Sequence, residues 1–423
     1  MRLFSAKYPG RPHMAEAFIS LHSRDSYAFF LDRENHPTER FSVIGGAAGL
    51  VVAIEDAIAA LANEIEDIEL PFSFRPGLVG GYSYEGEELF MMVDRAIVFD
   101  HESNLVYFVG IFSEEKEFES WQQAALLRLA LIGGEGAVYK RANPVKPITI
   151  EDISFRHSDE EYLALIEQSK QYIAQGDAYQ LCLTNQLTAK TDSDPYAVFL
   201  KLRELNPAPF MSFIRLGSVS LASSSPEQFL KGTKEGLLIT KPIKGTRPRN
   251  SDPELDKQLA EELLSNEKER AENLMIVDLM RNDLGRVSEP DDVVVSKLFE
   301  IESYASVHQL VSTVQAQLVS GKTIFDAIRA CFPAGSMTGA PKIRAMEILA
   351  SLESGPRGLY SGCFGFIGFN GAFDLAMTIR TIVFESDNAA IGIGGGITID
   401  SALTAELEET KLKARALLSA LGL

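Results

Sequence analysis

The order of its apolar runs limits this chain more than any single motif does. Strand-like runs and amphipathic helical stretches come in mixed order, without a regular strand–helix–strand period. Tyr27–Leu31, Phe41–Ile44, Ala96–Phe99 and Leu105–Phe112 read as strands, while Leu50–Ile65 and Lys116–Ile132 carry apolar residues at helix spacing. Further on, Gln180–Leu187, Ser212–Leu216, Gly236–Lys241, Gly362–Phe369, Asp374–Phe384 and Ala389–Ile393 read as strands. Helices are expected over Asp159–Gln175, with Ser158 as N-cap and Gly176 as the stop, over Pro253–Leu284 and over Pro341–Leu352. Such a mixture predicts an α+β fold with large antiparallel sheets, not a doubly wound one.

At about 150 residues per domain, 423 residues correspond to two or three domains. The seam falls at Gly133-Gly134-Glu135-Gly136 and the basic, proline-bearing Lys140–Pro147. The expected division is an N-terminal part over 1–145 and a second region over 146–423. A net charge of −19 argues against general affinity for nucleic acid or an anionic membrane, though a local basic pocket can exist on an acidic protein. Cys182, Cys331 and Cys363 are widely spaced, so neither a zinc site nor a disulfide framework is indicated, and a reducing cytosol fits. The opening MRLFSAKYPG lacks a signal peptide's apolar region, and no run of about 18 apolar residues is present; a cytoplasmic protein without a membrane span is expected.

Several groups of residues could carry chemistry. Lys244, in Lys241-Pro242-Ile243-Lys244-Gly245-Thr246, offers an amine on backbone stiffened by Pro242 and freed at Gly245. Glu269, Glu272 and Asp283 flank an apolar helical stretch, and Glu406 and Glu409 share a helix face near the C-terminus. Carboxylates converging from two helices would suit Mg²⁺; the same residues also fit solvated helix faces. The loop Phe332–Lys342 ends where a helix opens with Pro341 in its first turn; free N–H groups there suit a carboxylate, and the same spacing equally fits a tight loop between elements. It is no P-loop, because Lys342 does not directly follow the glycine. Gly394-Gly395-Gly396 allows either a bend or a ligand's close approach, and Arg380, alone on the uncharged run Met377–Val383, is a charged partner for such a ligand or a solvated arginine. His308 could transfer protons or be structural.

Taken together, Pro242-Ile243-Lys244-Gly245-Thr246, Asp278–Arg286, Gly339-Ala340-Pro341-Lys342 and Gly394-Gly395-Gly396-Ile397 closely resemble the chorismate-utilising enzymes. That set comprises anthranilate synthase component I, aminodeoxychorismate synthase component I, isochorismate synthase and salicylate synthase. The resemblance is strong over about residues 150–423 and extends weakly to Gly77–Tyr82. It implies two large antiparallel sheets packed as a sandwich with helices outside, in one body that includes the N-terminal part.

Two positions discriminate within the family. Where its water-adding members carry lysine this chain has Gln180, and where anthranilate synthases carry alanine it has Lys244. The resemblance therefore implies amination at C4, as in the aminodeoxychorismate synthases of 4-aminobenzoate and folate biosynthesis. The alternatives are anthranilate formation or a non-catalytic chorismate-binding protein. It further implies Lys244 as covalent nucleophile, Glu227 as general acid and His308 as an active-site histidine. Glu272, Glu406 and Glu409 would hold Mg²⁺, and Tyr360, Arg380, Gly395 and Gly396 would grip the enolpyruvyl carboxylate. Thr338 and Gln180 match substrate-contacting positions. No glutaminase sequence is evident, so ammonia is expected from a glutamine amidotransferase subunit. Ala402-Leu403 replaces a common Asp-Pro pair, and Ala334 replaces a glycine. Phe30-Leu31-Asp32-Arg33 departs from the Leu-Leu-Glu-Ser of tryptophan-inhibited members, which argues against tryptophan feedback.

Overall fold

The fold is known from a computed structural model, which describes residues 1–132, 150–304 and 307–423; the expected seam at 133–147 lies outside them. Two antiparallel sheets, of twelve and ten strands, form the body among the described residues. The larger runs from Arg2–Pro9 through Leu105–Phe112, Arg95–Asp100, Phe41–Gly46, Tyr27–Asp32, Phe210–Leu216, Val219–Ser225, Thr381–Glu385, Asn388–Ile397 and Gln180–Thr191 to Gly339–Ala340. The smaller runs from Ile243–Pro248 through Val307–Gln317, Leu237–Thr240, Gln228–Gly232, Phe373–Met377, Cys363–Gly368, Gly77–Tyr82 and Glu88–Val93 to Leu50–Val51. Strands from the first 112 residues enter both sheets: Tyr27–Asp32 pairs with Phe210–Leu216, and Gly77–Tyr82 with Cys363–Gly368.

Side-chain alternation explains the layering. Along Tyr27–Asp32, Phe29 and Leu31 enter the core between the sheets, where they join Val79, Met91 and Phe364 of the smaller sheet. Ala28 and Phe30 point the other way, into a second core roofed by helices through Phe18, Phe199 and Leu417. A strand apolar on both faces is what a sheet covered on both sides demands. On the outer face of the smaller sheet, Ile276, Val277 and Met280 of one helix and Phe325 and Ile328 of another close a third core. Helices thus lie outside the sandwich. Among the described residues none is long and apolar enough to cross a membrane.

Some boundaries differ from the expectation. The predicted helix 253–284 is two, Pro253–Ser265 and Glu267–Leu284, because Asn266 leaves helical geometry and caps the second by accepting from the Glu269 N–H at 3.1 Å. The predicted strand 374–384 is also two. Phe373–Met377 belongs to the smaller sheet and Thr381–Glu385 to the larger, and the chain passes between them through Arg380 at φ +50°. Helix Asp159–Ala174 begins as expected, with Ser158 and Glu161 capping each other's backbone.

Candidate active site

The site forms where the glycine-rich end of Asn388–Ile397, in the larger sheet, faces the edge strand Ile243–Pro248 of the smaller. Lys244 lies opposite Leu310, and the pairing then skips to Thr246 opposite Gln309. Gly245 makes that bulge at φ +79°, and a Cβ there would lie 2.7 Å from Leu263 and 2.9 Å from the Glu269 carboxyl. Lys244 Nζ is 3.9 Å from Glu272 Oε2 and would be 3.3 Å from a Cβ at position 396. The amine therefore rests against bare backbone at Gly396.

Glu227 is buried beside this amine. Burial pushes its carboxyl up to about 7, although Ser336, Lys244 and the Ile243 N–H all favour the charged form. A carboxyl half protonated near neutrality can donate a proton.

Glu272 comes from helix Glu267–Leu284, and Glu406 and Glu409 from helix Leu403–Leu421. Burial raises Glu272, Lys244 and Lys268 lower it, and Glu406 raises it again, so Glu272 and Glu406 feel each other's charge. Burial also acts to raise Glu409, but Lys413, 2.9 Å away, holds it below the ordinary value. Ser401 orients Glu406 by donating to Oε1 at 2.7 Å, just ahead of the Ala402-Leu403 departure. Among the described residues no three His, Cys, Asp or Glu side chains are close enough to hold a metal as they stand. Hard oxygen donors from two helices nevertheless fit Mg²⁺ in chemistry, and Lys268 and Lys413 now partner two of them. Of the other carboxylates considered, Asp283 is tied to Lys342 and Glu269 to Arg247.

The opposite wall is made by Gln180, Tyr360, Arg380 and the glycines. Gln180 is buried; its Oε1 has no partner among the described residues, and its Nε2 would meet a Cβ at position 396 at 1.9 Å. A Cβ at position 395 would lie 3.4 Å from Glu406 Oε2. Tyr360 packs its ring over Gly392, where a Cβ would come within 2.0 Å, and burial keeps its hydroxyl protonated. Arg380 is not on a strand, as the sequence suggested, but in the crossover between the sheets. Burial lowers it, while Tyr360 and Glu409 favour its charge, so those two groups are its neighbours. A half-buried arginine beside a phenol and bare glycine backbone suits a ligand carboxylate.

Three of the groups expected near the site are engaged within the fold. Both His308 nitrogens are taken, Nε2 by Asp256 Oδ1 at 3.0 Å and Nδ1 by Ser303 Oγ at 2.7 Å; no hydrogen bond or ion pair among the described residues joins it to Lys244 or Glu227. Thr338 is fully buried and donates within its own turn, to the Ala334 and Gly335 carbonyls. The 332–342 loop is not an open anion cradle. Gly339–Ala340 pairs with Gln180–Leu181, Pro341 is the N-cap of the following helix, and Lys342 is held by Asp283 and the Cys331 carbonyl.

Sequence reasoning missed the buried pair Glu353–Arg357, bonded at 2.7 and 2.8 Å. Arg357 also donates to the Met337 and Cys182 carbonyls, and Glu353 accepts from the Thr184 N–H, so the pair clamps the 334–340 loop to the strand carrying Gln180. Its i,i+4 spacing was the one available signal.

A family described as chorismate binding enzyme matches residues 74–419. The aminodeoxychorismate synthase of Streptomyces griseus is 38% identical over 467 residues, covering 99% of this chain and 64% of that protein. The anthranilate synthase component 1 of Thermus thermophilus is 35% identical, covering 96% of this chain and 94% of that protein. A crystal structure of anthranilate synthase component I from Streptococcus pneumoniae superimposes with a TM-score of 0.75 at 27% identity, over 99% of this chain and 92% of that one. The chain spans about half the length of the aminodeoxychorismate synthases it matches.

Proposed function

This chain belongs to the chorismate-binding enzymes, and from that membership we propose that it replaces the C4 hydroxyl of chorismate with an amino group. The product is 4-amino-4-deoxychorismate, on the route to 4-aminobenzoate and folate. One observation carries the reading: a lysine amine lies against Gly396 and 3.9 Å from Glu272, beside a carboxyl raised to about 7.

The chemistry follows from those groups. The Lys244 amine attacks C2 of the ring, the two ring double bonds shift, and the C4 hydroxyl leaves as water with a proton from Glu227. Ammonia then bonds to C4, the double bonds shift back, and the Lys244 amine leaves C2. Splitting one difficult displacement into two feasible ones is the gain of covalent catalysis. Arg380, Tyr360 and the backbone at Gly395 and Gly396 grip the enolpyruvyl carboxylate, and Gln180, being neutral, cannot act as a base toward water. Thr338 shapes the loop beside the ring. Glu272, Glu406 and Glu409 would hold Mg²⁺, which when bound would offset the charge of the ring carboxylate. Ammonia comes from a glutamine amidotransferase partner.

The test is to supply chorismate, Mg²⁺ and an ammonium salt at alkaline pH and identify the product by mass spectrometry. The 4-amino compound supports the reading; anthranilate moves the chain to C2 amination.

A further inference from the structure

The helix that carries Glu272 is fastened to the strand that carries Lys244 by the very next residue. Asn273 is fully buried, and both ends of its amide are engaged. Its Nδ2 donates to the Pro242 carbonyl at 3.2 Å, and its Oδ1 accepts from Ser312 Oγ at 2.5 Å. Ser312 Oγ in turn accepts from the Phe299 N–H at 3.1 Å, and the Ser312 N–H donates to the same Pro242 carbonyl at 3.2 Å. Pro242 stands two residues before Lys244.

Apolar contacts through Ile276, Val277 and Met280 hold this helix to the sheet, but such contacts have no direction and would tolerate a small slide. A buried amide does not, because any slide leaves an N–H or a carbonyl without a partner. We propose that Asn273, through Ser312 and the Pro242 carbonyl, is a positioning residue that fixes the Glu272 carboxylate against the Lys244 amine. It touches no substrate; it sets the register between the metal-binding helix and the nucleophile's strand. This inference rests on the roles proposed above for Lys244 and Glu272, but the geometry it describes can be measured without turnover.

The experiment is trace acetylation of the apo protein with acetic anhydride at a fixed pH, read by peptide mass spectrometry as the reactivity of Lys244 relative to exposed Lys7. In Asn273→Ala and Ser312→Ala, each checked for folding by circular dichroism, the ratio shifts by about threefold or more, the scale of one lost hydrogen bond. The Mg²⁺ concentration for half-maximal amination rises in step. An unchanged ratio in the folded variants overturns the proposal, and if Asn273→Ala does not fold, Ser312→Ala decides. If the wild-type protein does not aminate C4, the functional reading fails while the labelling result still decides this one.

Discussion

Lys244 Nζ lies 3.9 Å from Glu272 Oε2, although the two residues sit on an edge strand and on a helix outside the sheet. A separation beyond hydrogen-bond length leaves the amine near a carboxylate without tying it up. That is the arrangement required by the roles proposed for Lys244 as nucleophile and Glu272 as Mg²⁺ ligand.

Lys244→Ala is expected to cut C4 amination by about a thousandfold or more, the scale of removing a catalytic nucleophile. The side chain is half-buried and belongs to no apolar core, so thermal unfolding changes little. Slow amination at C2 can emerge, because no competing amine occupies that carbon. Product analysis and a melting curve check both halves.

Glu227→Gln keeps the shape and removes the proton, with an expected rate loss of about 10²–10⁴-fold. Stability tests the same residue separately. Its carboxyl is raised from an ordinary 4.5 to about 7, so between those values the unfolded chain has released a proton that the folded chain still holds. Wild-type stability therefore falls as pH rises through that window, by an amount on the order of 1–3 kcal/mol. The variant lacks this loss. Its melting temperature relative to wild type climbs between pH 5 and pH 8, and a constant difference would contradict the buried carboxyl.

Gly396→Ala places a methyl 1.9 Å from Gln180 Nε2 and 3.3 Å from Lys244 Nζ. Relief of such overpacking costs about 1–3 kcal/mol, and here it moves Gln180 into the substrate's space. Activity is expected to fall more steeply than stability, as steady-state kinetics and a denaturation curve would show.

Chelation is expected to abolish amination, and added Mg²⁺ to restore it. Glu406→Ala raises the Mg²⁺ requirement by about tenfold or more. Glu408→Ala, on the exposed face of the same helix, leaves it unchanged. Equal effects of the two would argue against a specific site.

Tryptophan is expected not to inhibit. Beside Leu31 and Arg33 the cavity between the sheets holds only about 30 Å³; Arg33 and Asp374, 3.6 Å apart, both line it, and Arg33 also stacks on Phe210. That volume suits roughly one water molecule. Inhibition at micromolar tryptophan would show that the cavity opens.

The sequence showed the α+β class and the backbone freedom at Gly245, because each depends on local patterning. It hid Val307–Gln317, whose buried Gln309, Ser312 and Thr313 break the apolar alternation of a covered strand. Val294–Ser303 was missed because its register shifts twice and Phe299 takes a positive φ. Arg380 read as a strand residue, since nothing local marks where a chain changes sheets. The partners of His308 could not be foreseen either: Asp256 lies 52 residues away along the chain. Motifs named Glu227, but its raised carboxyl depends on burial that only the packed sheets create.

The most direct test of the central claim is to mix the protein with chorismate and Mg²⁺ without ammonia, quench, and map the peptides by mass spectrometry. The account predicts that the peptide containing Lys244 carries chorismate less one water, and that ammonium discharges it to the 4-amino product. An unmodified Lys244 peptide from protein that still aminates C4 at full rate would contradict it.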